Sequence, residues 1–282
     1  MIFNNTERID LHTHTTASDG SFTPSALVRY AASKGLKAIA VTDHDTVGGL
    51  QEALKEAEAL GLEVVPGVEI SVDFRPEMHI LGYFFSSGYA SINEVLEELK
   101  KKRAERNPKI IKRLNELGMD ISMEEVEALS PGGITGRPHI ARVMVSKGYA
   151  QSEREAFEKF LGSGRPAYFS KAKLTPEQGI DEILKAGGLP VLAHPIFLNL
   201  KEAELDTLLK SLKKAGLKGV EVYYSENTEA QTEELIRLAD RNGLFATGGS
   251  DFHGSFKPDI EIGTGMGSLA VGYGLLEIMK RL

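Results

Sequence analysis

Seven histidines stand at positions 12, 14, 44, 79, 139, 194 and 253. His12 and His14 alternate along the segment Ile9–His14, so in an extended strand both imidazoles project to one side. Two imidazoles placed that way can grip one metal ion. Asp251 and His253 repeat the spacing after Thr247-Gly248-Gly249-Ser250. Asp19 lies in an Asp-Gly turn, and Asp43-His44-Asp45 follows the apolar run Lys37–Val41. Glu69 comes soon after Pro66-Gly67, His79 opens a run of apolar residues, and His194-Pro195 follows Val191-Leu192-Ala193. Each feature alone has an ordinary reading as a turn residue, a strand end or a satisfied core histidine. Together they form an imidazole and carboxylate donor set without thiolate, which suits Mn²⁺, Fe²⁺ or Zn²⁺ and is large enough for two or three ions. The acids flanking His44 read as partners that orient imidazoles.

The elements that would carry these residues alternate. Strands are expected over Arg8–His12, Lys37–Asp43, Glu63–Ile70 and Met78–Phe84, with helices over Pro24–Lys34 and Val47–Leu60 between them. Thr23-Pro24 is an N-cap followed by Pro at the first helical position, and Gly61 stops the second helix. This rhythm argues for parallel strands with crossover helices. From Ser91 to Phe160 only helical periodicity is found. A long charged helix, Glu94–Leu117, is expected to break or kink near Asn107 because Pro108 follows. Shorter helices are expected at Met123–Leu129, Pro138–Lys147 and Ser152–Phe160. After a Gly-Ser-Gly-Arg-Pro linker the alternation resumes, with strands over Leu189–His194, Gly219–Tyr224 and Leu244–Ser250 and helices over Thr175–Ala186, Lys201–Ala215 and Thr228–Asn242. That makes seven strands, with an all-helical insert between the fourth and fifth. Six of the seven histidines fall in or just after a strand, where the active-site rim of a parallel barrel lies.

The chain has 282 residues, 41% hydrophobic and 26% charged, which leaves two readings open, one α/β barrel with an insert or two domains. Its net charge of −7 argues against a general nucleic-acid coat protein. The absence of cysteine excludes disulfides, thiolate zinc sites and cysteine nucleophiles. No long apolar run or basic-then-apolar leader is present, so a cytoplasmic enzyme with no membrane partner is the expectation.

The motifs His12-Thr-His14 with Asp19, Thr-Asp43-His44-Asp45, His194-Pro195 and Gly-Ser-Asp251-Phe-His253 resemble those of the PHP (polymerase and histidinol phosphatase) metallo-phosphoesterase superfamily. Glu69 and His79 fall where that family puts its intermediate ligands. The resemblance is closest to bacterial 3′,5′-nucleoside bisphosphate phosphatases and 5′→3′ oligoribonucleotide exonucleases. It implies a distorted (β/α)7 barrel formed by residues 1–90 and 170–282, with residues 91–169 as a helical substrate-capping insert. It also implies a ligand set. His12, His14, Glu69 and Asp251 would hold one ion, and Glu69 would bridge to a second completed by His79 and His194. Asp19, His44 and His253 would hold a third. Many members carry His where Asp19 stands, and a carboxylate there changes affinity and metal preference. The ions would number two or three, with Mn²⁺ first and Fe²⁺ or Zn²⁺ as alternatives.

The implied reaction is hydrolysis of the 5′-phosphate of a small nucleotide by metal-activated water, with no covalent enzyme intermediate. Catalytic candidates are Glu69, and His194 or Asp43 for proton transfer. Substrate-binding candidates lie on the insert: Arg103, Arg106 and Asn107 in one group, Arg137 and His139 in another, with Arg165, Tyr168 and Lys171 weaker. Arg137 stands at a helix N-terminus, which favours anions. Three readings compete: a 5′→3′ exonuclease on short oligonucleotides, an amidohydrolase-type C–N hydrolase, and a non-catalytic metal-stabilised binding module. A long nucleic-acid partner is not expected, because long polymers need extended basic tracks. The Gly-rich segment 260–274 lacks the phosphate-cradle pattern and reads as barrel closure.

Overall fold

A computed structural model describes residues 7–129, 135–169 and 173–282, apart from the side chains of Ser87 and residues 102–104. The first part of the barrel comprises β1 (Arg8–Thr13), α1 (Pro24–Ser33), β2 (Ala38–Val41), α2 (Leu50–Leu60), β3 (Glu63–Val72) and β4 (Met78–Tyr83). The insert follows with α3 (Asn93–Glu116), α4 (Met123–Glu127), α5 (Arg137–Ser146) and α6 (Glu153–Ala156), which continues as one wide turn at Phe157–Leu161. The barrel resumes with α7 (Pro176–Lys185), β5 (Leu189–Leu192), α8 (Glu202–Lys214), β6 (Gly219–Tyr224), α9 (Glu229–Asn242) and β7 (Phe245–Gly249). It ends on β8 (Val271–Gly272) and α10 (Gly274–Met279).

The strands form one sheet in the order β7-β6-β5-β4-β3-β2-β1-β8. The end of β7 closes the barrel against β1. His14 N–H donates to the Phe252 carbonyl and Asp251 N–H to that of His12, both at 2.9 Å. A Cβ on Gly249 would lie 2.3 Å from the His12 nitrogen, so a side chain there would prevent closure. The eighth strand runs antiparallel to β1 at Arg8 and Ile9, and α10 opens directly after it at Gly274, which segment 260–274 did not announce.

The expectation of uniformly parallel strands fails at β4. It pairs antiparallel with both β3 and β5. Only residues 73–77 join β3 to β4, and a parallel crossover needs a dozen or more. The reversal has a functional effect. In β4 the beginning of the strand, not its end, reaches the rim, and His79 pairs with Ser71 there.

Alternate residues of the strands face the barrel interior. At one end Ile9, Leu11, Val65, Leu81, Tyr83 and Val191 form an apolar plug. The opposite faces of the strands pack on the helices through residues such as Ile39, Val68, Ile70, Ile80 and Val220. A third cluster, containing Ile110, Leu114, Ile140, Met144 and Leu161, lies within the insert.

The expected break at Asn107 is absent: α3 runs through Pro108 as one helix. Its first half buries Leu96 and Leu99 in the barrel's core and its second half buries Ile110, Ile111 and Leu114 in the insert's. An interior proline costs roughly 3 kcal/mol, whereas each buried aliphatic side chain contributes roughly 1.5–3 kcal/mol. Burial at both ends therefore outweighs the missing hydrogen bond.

Candidate metal centre

The rim gathers its donors from six strands. His12 and His14 leave β1, and Asp19 hangs on the loop behind it. The backbone beyond β2 extends beside β3, with His44 bridged to Glu69 and Asp45 N–H donating 2.9 Å to the Glu69 carbonyl. Glu69 is not a strand end, as the sequence suggested, but an interior residue of β3. His79 starts β4, His194 follows β5, and Asp251 and His253 follow β7. Asp45, His194 and Asp251 adopt positive φ values of 50°, 26° and 59°. Such backbone is held only where the surroundings impose it, and it aims the side chains inward.

Glu69 is the hub. Its Oε2 lies 3.1 Å from His12 Nε2 and 3.2 Å from both His14 Nε2 and His44 Nδ1. Its Oε1 lies 2.7 Å from His79 Nδ1 and 2.9 Å from His194 Nε2. One carboxylate thus faces five imidazoles, divided between its two oxygens. Asp251 Oδ1 stands 3.1 Å from His14 Nε2, and Asp19 Oδ1 stands 3.3 Å from His253 Nε2.

Three groups of donors converge within 4.8 Å: His12, His14, Glu69 and Asp251; His14, Asp19, His44 and His253; and His44, Glu69 and His79. The first matches the set implied by the family resemblance. The second adds His14 to the implied Asp19 set, and the third adds His44 beside Glu69 and His79. His194 reaches the third group through Glu69.

The electrostatics of this cluster call for a cation. Burial pulls the His14 pKa down, but Asp251 and Glu69 overcome it and raise it to about 9. Burial opposes protonation of His79 too, yet Glu69 and Glu77 raise its pKa to about 9. Burial dominates at His44 and lowers it to about 3 despite Glu69 and Asp19. Burial would raise the Glu69 carboxyl, but His44, His12 and His79 hold it well below the usual range. The buried nitrogens His14 Nδ1, His14 Nε2 and His44 Nδ1 have no hydrogen-bond partner. Each such orphan costs about 1–3 kcal/mol. Divalent cations would satisfy these lone pairs and the carboxylates together, so the residues present fit the ions that the donor chemistry implies.

Several supports escaped sequence reasoning. Glu221, fully buried in β6, accepts from His12 Nδ1 at 2.9 Å and from His194 N–H at 2.7 Å. That bond fixes the His12 tautomer and leaves Nε2 for a cation. A lone glutamate within Val-Glu-Val-Tyr-Tyr was its one sequence signal. Asp10 accepts from Ser250 Oγ, Ser250 N–H and Gly263 N–H at 2.5, 2.8 and 2.7 Å, tying the β7 exit to β1. Tyr224 and Lys257 donate to Asp251 Oδ2 at 2.9 and 2.6 Å.

Asp43 stands apart from all three donor groups. It accepts from Thr15 N–H, Thr15 Oγ1 and Ser18 Oγ at 2.7, 2.7 and 2.6 Å. These bonds shape the loop that presents Asp19. Gly20 closes that loop tightly: a Cβ there would lie 2.3 Å from the His14 carbonyl oxygen.

The insert meets the rim across a cavity of about 140 Å³ lined by Asp19, His44 and His79 on one side and Arg106, Arg137 and His139 on the other. Arg106 is buried, its Nε lacks a partner, and burial together with Arg137 lowers its pKa to about 10. Arg137 donates to the Leu161 carbonyl at 3.1 Å and lies 5.6 Å from the rings of Phe157 and Tyr168. His139 Nδ1 accepts from Gly136 N–H at 3.2 Å. Asn107 donates to the Thr135 carbonyl at 3.0 Å, joining α3 to the approach of α5. The Arg103 side chain and Lys171 lie outside the described residues, and Arg165 is exposed. Sequence reasoning missed Arg142. Its guanidinium sits 3.5 Å over Phe256, donates 3.4 Å to the Asp19 carbonyl and lines a second cavity of about 430 Å³ with His194, Phe197 and Lys257.

A barrel whose rim gathers imidazoles and carboxylates around a shared glutamate defines a metal-dependent hydrolase. The chain belongs to the PHP family, whose domain matches residues 10–257. It is 36% identical to the 5′-3′ exoribonuclease Rnm of Escherichia coli, covering 90% of this chain and 87% of that one. It is 33% identical to the 3′,5′-nucleoside bisphosphate phosphatase of Chromobacterium violaceum, covering 87% of each. A solved structure from Bifidobacterium adolescentis, described as a metal-dependent phosphoesterase, superposes with a TM-score of 0.82 at 29% identity, over 97% of this chain and 96% of that one. The chain is accordingly a phosphoester hydrolase that uses divalent metal. Among the described residues no helix is long and apolar enough to cross a membrane.

Proposed function

We propose that this enzyme, in the cytoplasm, removes the 5′-phosphate from small nucleotides, with 3′,5′-bisphosphorylated nucleosides such as 3′-phosphoadenosine 5′-phosphate as first candidates and nucleoside 5′-monophosphates as a further class. The observation that carries this reading is the cavity between rim and insert. It has metal donors on one wall and two clustered guanidiniums on the other, so it offers places for two anionic groups of one small molecule. His12, His14, Glu69, Asp251, His79, His194, Asp19, His44 and His253 would hold two or three ions, Mn²⁺ first. When bound, the ions would neutralise phosphoryl oxygens and lower the pKa of the attacking water.

The chain's own residues do the rest. Glu69 bridges the donor groups, and Glu221 fixes His12. Arg137, Arg106 and His139 hold the second phosphate, because guanidiniums make paired hydrogen bonds to phosphate. Asn107 positions the Thr135 backbone beside them. His194 is assigned proton transfer to the leaving oxygen through Nδ1, its Nε2 being turned to Glu69 and the ions it would hold, whereas Asp43 acts by shaping the Asp19 loop. In this reading residues 91–169 cap the substrate and residues 1–90 and 170–282 carry the chemistry. The 5′→3′ oligonucleotide reading draws support from the second cavity, which opens beside His194.

The test is phosphate release from 3′-phosphoadenosine 5′-phosphate with Mn²⁺, with the remaining nucleotide identified. Release leaving 3′-AMP is expected. Metal-loaded protein that releases no phosphate from this compound would refute the reading.

A further inference from the structure

Behind the arginine pair lies another cavity, of about 530 Å³. Arg106, Arg137, Phe157 and Glu77 line both this space and the small cavity at the rim. The arginines therefore form a waist between two adjoining compartments, not the outer wall of one. We infer that the rear cavity is a subsite for the nucleotide attached beyond the phosphate held by Arg106 and Arg137, so that substrates extended on their 3′ side are held by the same site. This rests on the reading of the arginine pair as the second phosphate's place.

Size is the first argument. A phosphate monoester at the waist would leave the rear cavity empty, yet its volume falls within the roughly 300–1,000 Å³ of pockets that take small organic ligands. Chemistry is the second. The rear compartment carries the cations Arg75 and Lys173 and the aromatic rings of Phe74, Tyr168 and Phe169. Cations that follow a phosphodiester backbone, with rings on which bases stack, are how single strands are held without regard to sequence. Asp73 and Glu77 are the carboxylates of the same wall. Glu77 is already engaged by Lys173 at 2.7 Å. Four cationic side chains against two carboxylates leave the compartment positive, although the chain as a whole is acidic.

The third argument is the waist itself. Arg106 is 6% exposed and its Nε is unpartnered. Two neighbouring guanidiniums with an orphaned donor suit an anion that can be approached from both sides, as a phosphodiester is.

The experiment uses the full chain with Mn²⁺ and two probes, 3′-phosphoadenosine 5′-phosphate and a 5′-phosphorylated adenosine trinucleotide. Arg75 and Lys173 line the rear cavity and not the rim cavity, and taking the ratio of the two probes cancels any effect that Lys173→Met passes to the rim through Glu77. The ratio of kcat/KM for trinucleotide over bisphosphate is expected to fall at least tenfold in the Arg75→Glu, Lys173→Met double variant. An unaltered ratio, including an equal loss on both probes, would overturn the inference and leave the proposed function standing. A binding measurement separates the two failures. With chelator present, a 3′-fluorescein trinucleotide should bind the double variant at least tenfold more weakly by anisotropy. If the wild type releases no phosphate from the bisphosphate, the proposed function falls, and equal binding by both proteins then removes the subsite as well.

Discussion

Glu221 lies outside the three donor groups, yet the His12 tautomer depends on it. Replacing it by Gln keeps the shape but substitutes a neutral amide for the carboxylate that accepts the His12 Nδ1–H. Loss of such a supporting partner typically weakens metal binding 10–100-fold. Glu221→Gln should therefore need about that much more Mn²⁺ for half-maximal activity while its urea midpoint barely moves. Metal titration of the two proteins checks this, and identical curves would refute the role. Arg137→Ala makes a different claim, about substrate. Removing a charge-assisted contact worth about 1.5–3 kcal/mol should lower kcat/KM for the bisphosphate roughly 10–100-fold with metal content unchanged. Unaltered kinetics would take Arg137 out of the site. Protonation gives a third prediction. His14 and His79 titrate near 9 and must be neutral to bind a metal. Below that value proton and ion compete, so apparent Mn²⁺ affinity should climb as pH rises toward 9, and Mn²⁺ added at pH 7 should release protons. A pH-indicator titration without proton release would contradict it.

The long helix α3 shows how tertiary packing overrides local propensity. Pro108 is exposed, so replacing it by Ala restores a backbone donor without disturbing either core. Pro108→Ala should stabilise the protein by about 1–3 kcal/mol, seen as a higher urea midpoint. A destabilised variant would mean that the helix needs the bend a proline brings. The same contrast explains what was legible beforehand. His12 with His14 and Asp251 with His253 could be read because the two-residue period of a strand fixes which side chains share a face. The Thr23 cap could be read because a side-chain oxygen followed by Pro has one physical use, and it accepts the expected bond from Ala26 N–H. The antiparallel course of β4 had a signal, the five-residue span 73–77, that alternation of elements obscured. The clustering of Arg106 with Arg137 had none, because these residues come from separate helices and meet only when the insert folds over the rim. Glu221 was hidden for a related reason: a charge in a strand looks alike whether it faces solvent or a buried imidazole.

At the scale of the whole molecule, the metal donors sit on barrel strands and the loops that follow them, and Arg106, Arg137 and Arg142 on insert helices. The chain leaves the sheet at Tyr83 and re-enters it at Leu189, and those two residues are partners across one antiparallel ladder. The excursion between them thus begins and ends at a single point of the sheet. Lengthening such an excursion adds closure entropy only logarithmically, so the sheet is nearly indifferent to what hangs there. In evolutionary terms the segment is an exchangeable cassette: a lineage can replace its substrate-facing wall and inherit its catalytic centre intact. The exchange has one natural seam. Because Leu96 and Leu99 belong to the barrel while Ile110 and Leu114 belong to the insert, a graft joined inside α3 between them preserves both hydrophobic cores, whereas one joined at the end of β4 strips the barrel of its own side chains.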